Sequence, residues 1–244
     1  MNRYKMLIQY NGFGFSGFQS QKSLNTIQDK IEHSLSFLNN KSLIRISGAS
    51  RTDAGVHALG QVAHFDLNTN LSSKAIKKAI NARLPEEIRI ADIAKVDSEF
   101  HSRFNAQKKQ YLYQCCLSQN PLLSKNHFYL KNFDYQRLMD IENIIIGTHD
   151  FLSFSKYDID KKNTCCEIYK SKWTLEDDKL FYIIEGNRFL HHMVRYLVGT
   201  MLGCMKKKVT KKEFLYLLNN PVKDATLLKA PAYGLILNKV FYEE

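Results

Sequence analysis

The sequence predicts an α+β protein made of two split-βαβ (ferredoxin/RRM-like) halves, with mixed or antiparallel sheets and an active-site cleft between them. Three observations lead there. The N-terminal half carries its periodic signals in the order strand, helix, strand, strand, helix, strand, which is the split-βαβ order. The second half returns to that order. At 244 residues the chain is long enough to bury roughly 70–75% of its unfolded surface, as one large domain or two small ones. No sequence repeat relates the halves, so the duplication rests on element order alone. The expected division is residues 1–105 as an N-terminal α+β domain and 106–244 as a C-terminal α+β domain that completes the cleft.

The elements follow in order. Tyr4 to Gln9 reads as a strand, and Asn11 to Gln21, NGFGFSGFQSQ, is a loop rich in Gly and Phe. Thr26 is placed to cap a helix whose apolar face is Ile27, Ile31, Leu35 and Leu38, with Asp29 three residues after the cap. Leu43 to Ser47 predicts a strand, and Gly60 to Phe65 another, with a loop between them. Ser72 caps a second helix, Ser73 to Arg83, with Ala75, Ile76, Ala79 and Ile80 inward. Pro85 ends it, and Ile88 to Val96 forms the next strand.

In the second half, Gln110 to Leu117 is a strand and Tyr135 to Ile145 a helix capped by Asp134. Glu167 to Leu175 and Lys179 to Glu185 form a hairpin across Glu176-Asp177-Asp178. The run NRFLHHMVRYLVGTMLGCM reads as one helix, with Leu190, Met193, Val194, Leu197, Val198 and Met201 at helical spacing and His191 and His192 mid-helix. Thr210 and Glu213 make a capping box for a shorter helix, and Leu235 to Phe241 is the last strand.

Composition narrows the function classes. The 44% hydrophobic and 24% charged fractions are those of an ordinary globular protein. No apolar run of about 18 residues is present, so no membrane span is expected, and MNRYKMLIQY enters a strand without an apolar signal core, which points to the cytoplasm. The five cysteines fall as Cys115-Cys116, Cys165-Cys166 and Cys204. That pattern has neither C-x-x-C spacing nor an even count, and it fits thiols in a reducing compartment. The net charge of +11 suits a polyanionic partner. Basic residues cluster at Lys74/Lys77/Lys78, Lys108-Lys109, Lys161-Lys162, and Lys206 to Lys208 with Lys211-Lys212.

The segment most suited to chemistry is GASRTDAGVHALGQVAHFD, Gly48 to Asp66. Between two strand signals it sets Arg51 two residues before Asp53, among small residues that admit a substrate close to the backbone. Read alone, Asp53 fits a turn residue bonded to its own backbone better than it fits a catalytic group.

The string RTDAGVHALGQVAHFD resembles the active-site segment of the TruA family of tRNA pseudouridine synthases, and the resemblance runs along nearly the whole chain. Ser50 stands where the family often has Gly. Gly17-Phe18-Gln19 stands where the family usually has Trp after the Gly. FHSRFNAQKKQYLYQC, Phe100 to Cys115, matches a further motif, with Lys109 and Gln110 in place of two arginines before Tyr111. The resemblance implies an isomerase acting on uridines of the tRNA anticodon stem-loop (38–40, on the 3′ side), as a homodimer with one tRNA spanning both subunits. Isomerisation needs no redox change, so neither cofactor nor metal is expected.

The resemblance also implies the roles. Asp53 is the catalytic nucleophile. Tyr111 stacks on the uracil and can take the C5 proton. Arg195, in the HHMVRY run, pairs with the aspartate and keeps it ionised. Arg51 helps fill the space left by the flipped base, and Leu235 lines the pocket. His57, Phe18, Gln19, Arg103 and Lys109 complete the expected substrate contacts. Two rival classes remain. One is an RNA-binding module without catalysis, which would have no need of a carboxylate facing phosphates. The other is a metal-dependent hydrolase using Asp53, His57, His64 and Asp66, for which no ligand spacing speaks.

Overall fold

The computed structural model describes residues 1–156 and 163–243, so the expected Lys161-Lys162 cluster lies outside the described residues. The chain is mixed α/β, with antiparallel and parallel strand pairs, and it divides into two compact units. One comprises Met1–Gln107 with Ile236–Glu244, and the other Lys108–Leu235.

In the first unit, β1 (Asn2–Tyr10) lies between β3 (His57–Leu67) and β4 (Ile88–Val96), antiparallel to both. The short β2 (Ser47–Gly48) pairs antiparallel with β3 at His64 and Ala63. The last strand of the chain, Leu235–Phe241, pairs parallel with β3 through Ile236 and Leu237, opposite His57 and Ala58. This pairing is why the C-terminal residues group with the first unit. Helices α1 (Ile27–Ser36) and α2 (Ser73–Asn81) start at Thr26 and Ser72, whose side chains accept from the N–H groups of Asp29 and Ala75. Ile27, Ile31 and Leu35 of α1 and Ile76 and Ile80 of α2 are fully buried, as are Met6, Ile8 and Phe65 of the strand layer.

One expected strand is absent. Residues Leu43 to Ile46 join no ladder, and β2 begins only at Ser47. The reason lies in α1. The buried Glu32 carboxylate accepts from Ile46 N–H at 3.0 Å, and the Gln28 amide donates to Ile46 O at 3.3 Å. Two side chains thus satisfy the backbone groups a neighbouring strand would have used.

In the second unit, β5 (Lys108–Cys116), β9 (Lys179–Gly186), β8 (Cys165–Glu176) and β7 (Gly147–Asp150) are neighbours in that order, antiparallel throughout. The two-residue β6 (Phe128–Tyr129) runs parallel to β5. Helix α3 (Tyr135–Glu142) is capped by Asp134, and α5 (Lys211–Asn219) by the expected Thr210–Glu213 capping box. Helix α4 (Met193–Met205) is shorter than the periodicity predicts. His192 sits at φ 63°, in the left-handed region that a helix interior excludes. His191 and His192 therefore form the turn before α4 rather than its middle, and Leu190 is buried from outside the helix. Trp173, Tyr182, Tyr113 and Phe214 fill this unit's core.

Candidate active site

The Asp53 loop is built by side chains that hold its backbone on both sides. Chain from β2 runs back along β3, with Ala49 N–H donating to Val62 O at 2.8 Å. Gln61, fully buried in the middle of β3, then takes over. Its amide nitrogen donates to Ser50 O at 2.7 Å, and its oxygen accepts from Ser50 N–H and Val62 N–H at 3.2 Å each. Thr52 is pinned by a 2.7 Å hydroxyl–hydroxyl bond to Tyr10 and by its carbonyl, which accepts from Phe18 N–H at 3.1 Å. The chain turns at Asp53, whose carbonyl accepts from Val56 N–H at 3.1 Å, with Gly55 at φ +78°.

The glycine-rich 11–21 loop clasps this turn from the other side. A Cβ at Gly12 would come within 2.0 Å of Val56 O, and one at Gly17 within 2.8 Å of Thr52 O. Only glycine permits these approaches. Gly12 N–H also donates to His57 Nδ1 at 3.1 Å. The result is a fixed display. Thr52, Val56 and His57 are buried, Arg51 and Ala54 are exposed, and the Asp53 side chain is half-buried between them.

The remaining expected residues of this unit divide clearly. Phe18 is only 2% exposed, and its ring lies against Gly48, where a Cβ would sit 2.4 Å from the ring edge. It is therefore a floor beneath the loop rather than a free face for a base, because Gly48 leaves it just enough room. Gln19 is exposed, as is Arg103, which stands on a separate turn. His57 is buried and its Nδ1 serves the loop. Of the rival metal set, Asp66 gives both oxygens to Arg3 at 2.8 Å, and His64 Nδ1 accepts from Ser102 N–H at 3.2 Å. With His57, three of those four candidate ligands hold the fold of this unit together.

In the second unit, Tyr111 lies on β5, 8% exposed, with Phe189 edge-on to it at 5.1 Å. Gln110 donates to Glu185 at 2.7 Å beside the Lys108–Glu185 ion pair. It thus ties β5 to β9. Lys109 is half-buried, on the opposite parity to Gln110. Arg195 sits in the first turn of α4, its Nε donating to Ala230 O at 2.9 Å and its own carbonyl accepting from Ala230 N–H at 3.0 Å. That double link lays the 228–230 segment along α4, an approach that Gly199 permits: a Cβ there would meet Leu228 O at 2.0 Å. Tyr113 OH donates to Pro231 O at 3.0 Å, and its ring fills the space over Gly234. Leu235, 4% exposed, starts the last strand directly after this anchored turn.

Sequence reading missed the residues that hold the Asp53 loop, Gln61 and the Tyr10–Thr52 pair. Gln61 had a visible signal, a lone amide at an inward position of an apolar strand.

Comparison with known proteins identifies the family. The sequence profile of a family described as tRNA pseudouridine synthase matches residues 6–105 and 143–243. The chain is 39% identical to tRNA pseudouridine synthase A of Phytoplasma mali, covering 98% of each chain. It is 36% identical to the protein of that name from Bacillus subtilis over 99% of each chain, and 32% to that of Anoxybacillus flavithermus over the full length of both. Spanning these relatives almost end to end, the chain belongs to the tRNA pseudouridine synthase family.

Proposed function

We propose that this protein converts uridine to pseudouridine in the anticodon stem-loop of tRNA, with Asp53 as nucleophile, base flipping and no cofactor. The observation that carries the reading is the Asp53 turn. A half-buried carboxylate is held on a backbone fixed by Gln61, by the Tyr10–Thr52 bond and by two glycine contacts. Such rigidity suits a group that must meet a reacting atom within a few tenths of an ångström.

In the proposed reaction the target nucleotide leaves its stack and enters the site. The Asp53 carboxylate bonds to ribose C1′ or to uracil C6 as the C1′–N1 bond breaks. The uracil turns, C5 joins C1′, the bond to Asp53 is released, C5 loses its proton and N1 gains one. The product is an isomer of the substrate, so no oxidant, reductant or second substrate enters. Tyr111 stacks on the detached uracil and takes the C5 proton. Arg195 pairs with the Asp53 carboxylate, Arg51 fills the place of the flipped base, and Leu235 walls the pocket. His57 supports the loop from beneath together with Phe18, while Gln19, Arg103 and Lys109 contact the RNA.

The strand neighbours β4-β1-β3-β2, all antiparallel, support reading the first unit as a split-βαβ half. We further infer a homodimer, in the cytoplasm with the tRNA pool, in which one tRNA spans both subunits. A first domain carrying the Asp53 loop and a second completing the cleft remain the functional division we propose.

The test is Asp53→Asn. The amide keeps the size and turn geometry but loses the nucleophile. Turnover on an unmodified tRNA transcript should fall at least about a thousandfold, while the Kd for that transcript stays near the wild-type value. A large loss of tRNA affinity together with a lowered Tm would make Asp53 a structural residue and overturn its assignment.

A further inference from the structure

Between β4 and β5 the chain makes a compact turn, residues 101–105, that displays one aromatic ring to solvent. Phe104 is 76% exposed, an unfavourable place for a large apolar side chain left without use. The turn beneath it is nonetheless rigid. Asn105 N–H donates to His101 O at 3.0 Å, and the Asn105 side chain accepts from His101 N–H at 2.5 Å. His101 Nδ1 accepts from both Arg103 N–H and Phe104 N–H, at 3.1 and 3.3 Å. Ser102, fully buried, is fastened to Ser47 O at 2.6 Å, to His64 Nδ1, and through its carbonyl to Tyr242 OH at 2.6 Å.

The rings follow one another outward, the first pair edge-on and the second stacked. The buried His64 meets His101 at 4.7 Å between centroids, and His101 lies nearly parallel to Phe104 at 4.3 Å and 29°. Phe104 thus has one face supported by an imidazole, while most of the side chain stays open to water. The exposed Arg103 guanidinium stands over the same ring, 5.8 Å from its centroid, on a long side chain that an arriving base can displace toward its phosphate. An aromatic face fixed in advance loses little entropy when a flat partner settles on it, and a neighbouring guanidinium suits the phosphate attached to that partner.

We propose that Phe104, backed by His101 and flanked by Arg103, is a stacking platform for an unpaired base of the RNA substrate other than the reacting uridine. The inference rests on tRNA being that substrate and adds a second contact point on it. The two points are separated along β3. The platform is anchored at His64, whereas the Asp53 turn enters the strand at His57, seven residues or roughly 23 Å away. A nucleic acid is favoured over a protein partner because the exposed ring is paired with a cation in a chain of net charge +11. An unpaired base is favoured over a duplex because only it offers a free π-face.

The experiment measures binding of an unmodified tRNA transcript to the wild type, Phe104→Ala, Phe104→Leu and Phe104→Trp, with pseudouridine formation by the wild type on the same transcript as reference. Leu keeps apolar area without a π-face, and Trp supplies a larger one. Ala and Leu should raise Kd about five- to a hundredfold, the range of one lost base–aromatic stack, and Trp should bind at least as tightly as wild type. The indole fluorescence that Phe104→Trp adds should be quenched on tRNA binding, while the native Trp173 is buried and serves as background. Unchanged affinity in Ala and Leu, or no quenching, overturns the platform. So does a change of oligomeric state in the Ala variant without RNA, which would make the ring a protein contact. Product from the wild type with unaffected Phe104 variants sinks this inference alone. Absence of product with weakened variants sinks the pseudouridine reading and leaves the RNA contact standing.

Discussion

Replacing Gln61 with Met tests whether the Asp53 loop is held from β3. The side chain is fully buried, and methionine fills nearly the same volume without hydrogen bonds. Ser50 N–H and Ser50 O, in a residue itself 7% exposed, then lose their partners at 3.2 and 2.7 Å. Each buried backbone group left unmade costs about 1–3 kcal/mol, so the variant should lose about 2–6 kcal/mol of unfolding free energy. Val62 N–H loses one acceptor as well, which places the result toward the upper end. Function should suffer more than stability, because a displacement of about 1 Å at the reacting group costs on the order of a hundredfold in rate. Urea unfolding gives the first quantity, single-turnover pseudouridine formation the second. A stability loss under about 0.5 kcal/mol with unchanged rate would show that the loop keeps its place without Gln61, and the account of the site's rigidity would be wrong.

Other predictions concern neighbouring parts of the molecule. Burial, with help from His101 and Arg3, lowers the His64 pKa to about 4, and its Nδ1 is committed as an acceptor of Ser102 N–H. The unfolded chain takes up this proton near pH 6.5 and the folded one only near 4, so stability is full above about pH 6.5 and declines as pH falls to 4. About 2.5 units at about 1.4 kcal/mol each bounds the loss at about 3.5 kcal/mol. His64→Gln should flatten the pH dependence of the urea midpoint across that window, and an unchanged slope would contradict the assignment. Gly12→Ala should displace the Asp53 turn, since its Cβ meets Val56 O at 2.0 Å. Turnover should collapse with a lowered Tm, and wild-type activity in this variant would refute the clasp. Arg195→Lys keeps the charge but loses the Nε bond to Ala230 O. It should cost about 1–2 kcal/mol of stability, seen as a modestly lower Tm, and reduce kcat. Equal Tm would show that the 228–230 segment needs no such tie.

Local signals made most of the fold legible. Thr26, Ser72, Asp134 and Thr210 all cap helices as their residue types suggest, and Ile88–Val96 and Leu235–Phe241 are strands over the expected spans. The failures share one physical cause, tertiary bonds that local pattern cannot register. Leu43 to Ile46 has strand composition, but Glu32 and Gln28 take the backbone groups of Ile46. Asn187 to His192 has helical spacing, but the chain needs a left-handed residue at His192 before α4 can start. The site was legible as a string around Asp53. Its support was not, because Gln61, Tyr10 and Gly12 meet that loop only through folding. Phe18 illustrates the same limit: the resemblance implies a substrate contact, yet the space above Gly48 takes its ring inside.

The central claim is that a single carboxylate on this turn carries out uridine isomerisation without metal. Pseudouridine formation on an unmodified tRNA transcript, by the wild type and by Asp53→Ala with chelator present throughout, tests it most directly. The account predicts product from the wild type alone. Product from both proteins would remove Asp53 from the chemistry, and product from neither despite tight tRNA binding would make the protein an RNA-binding module instead.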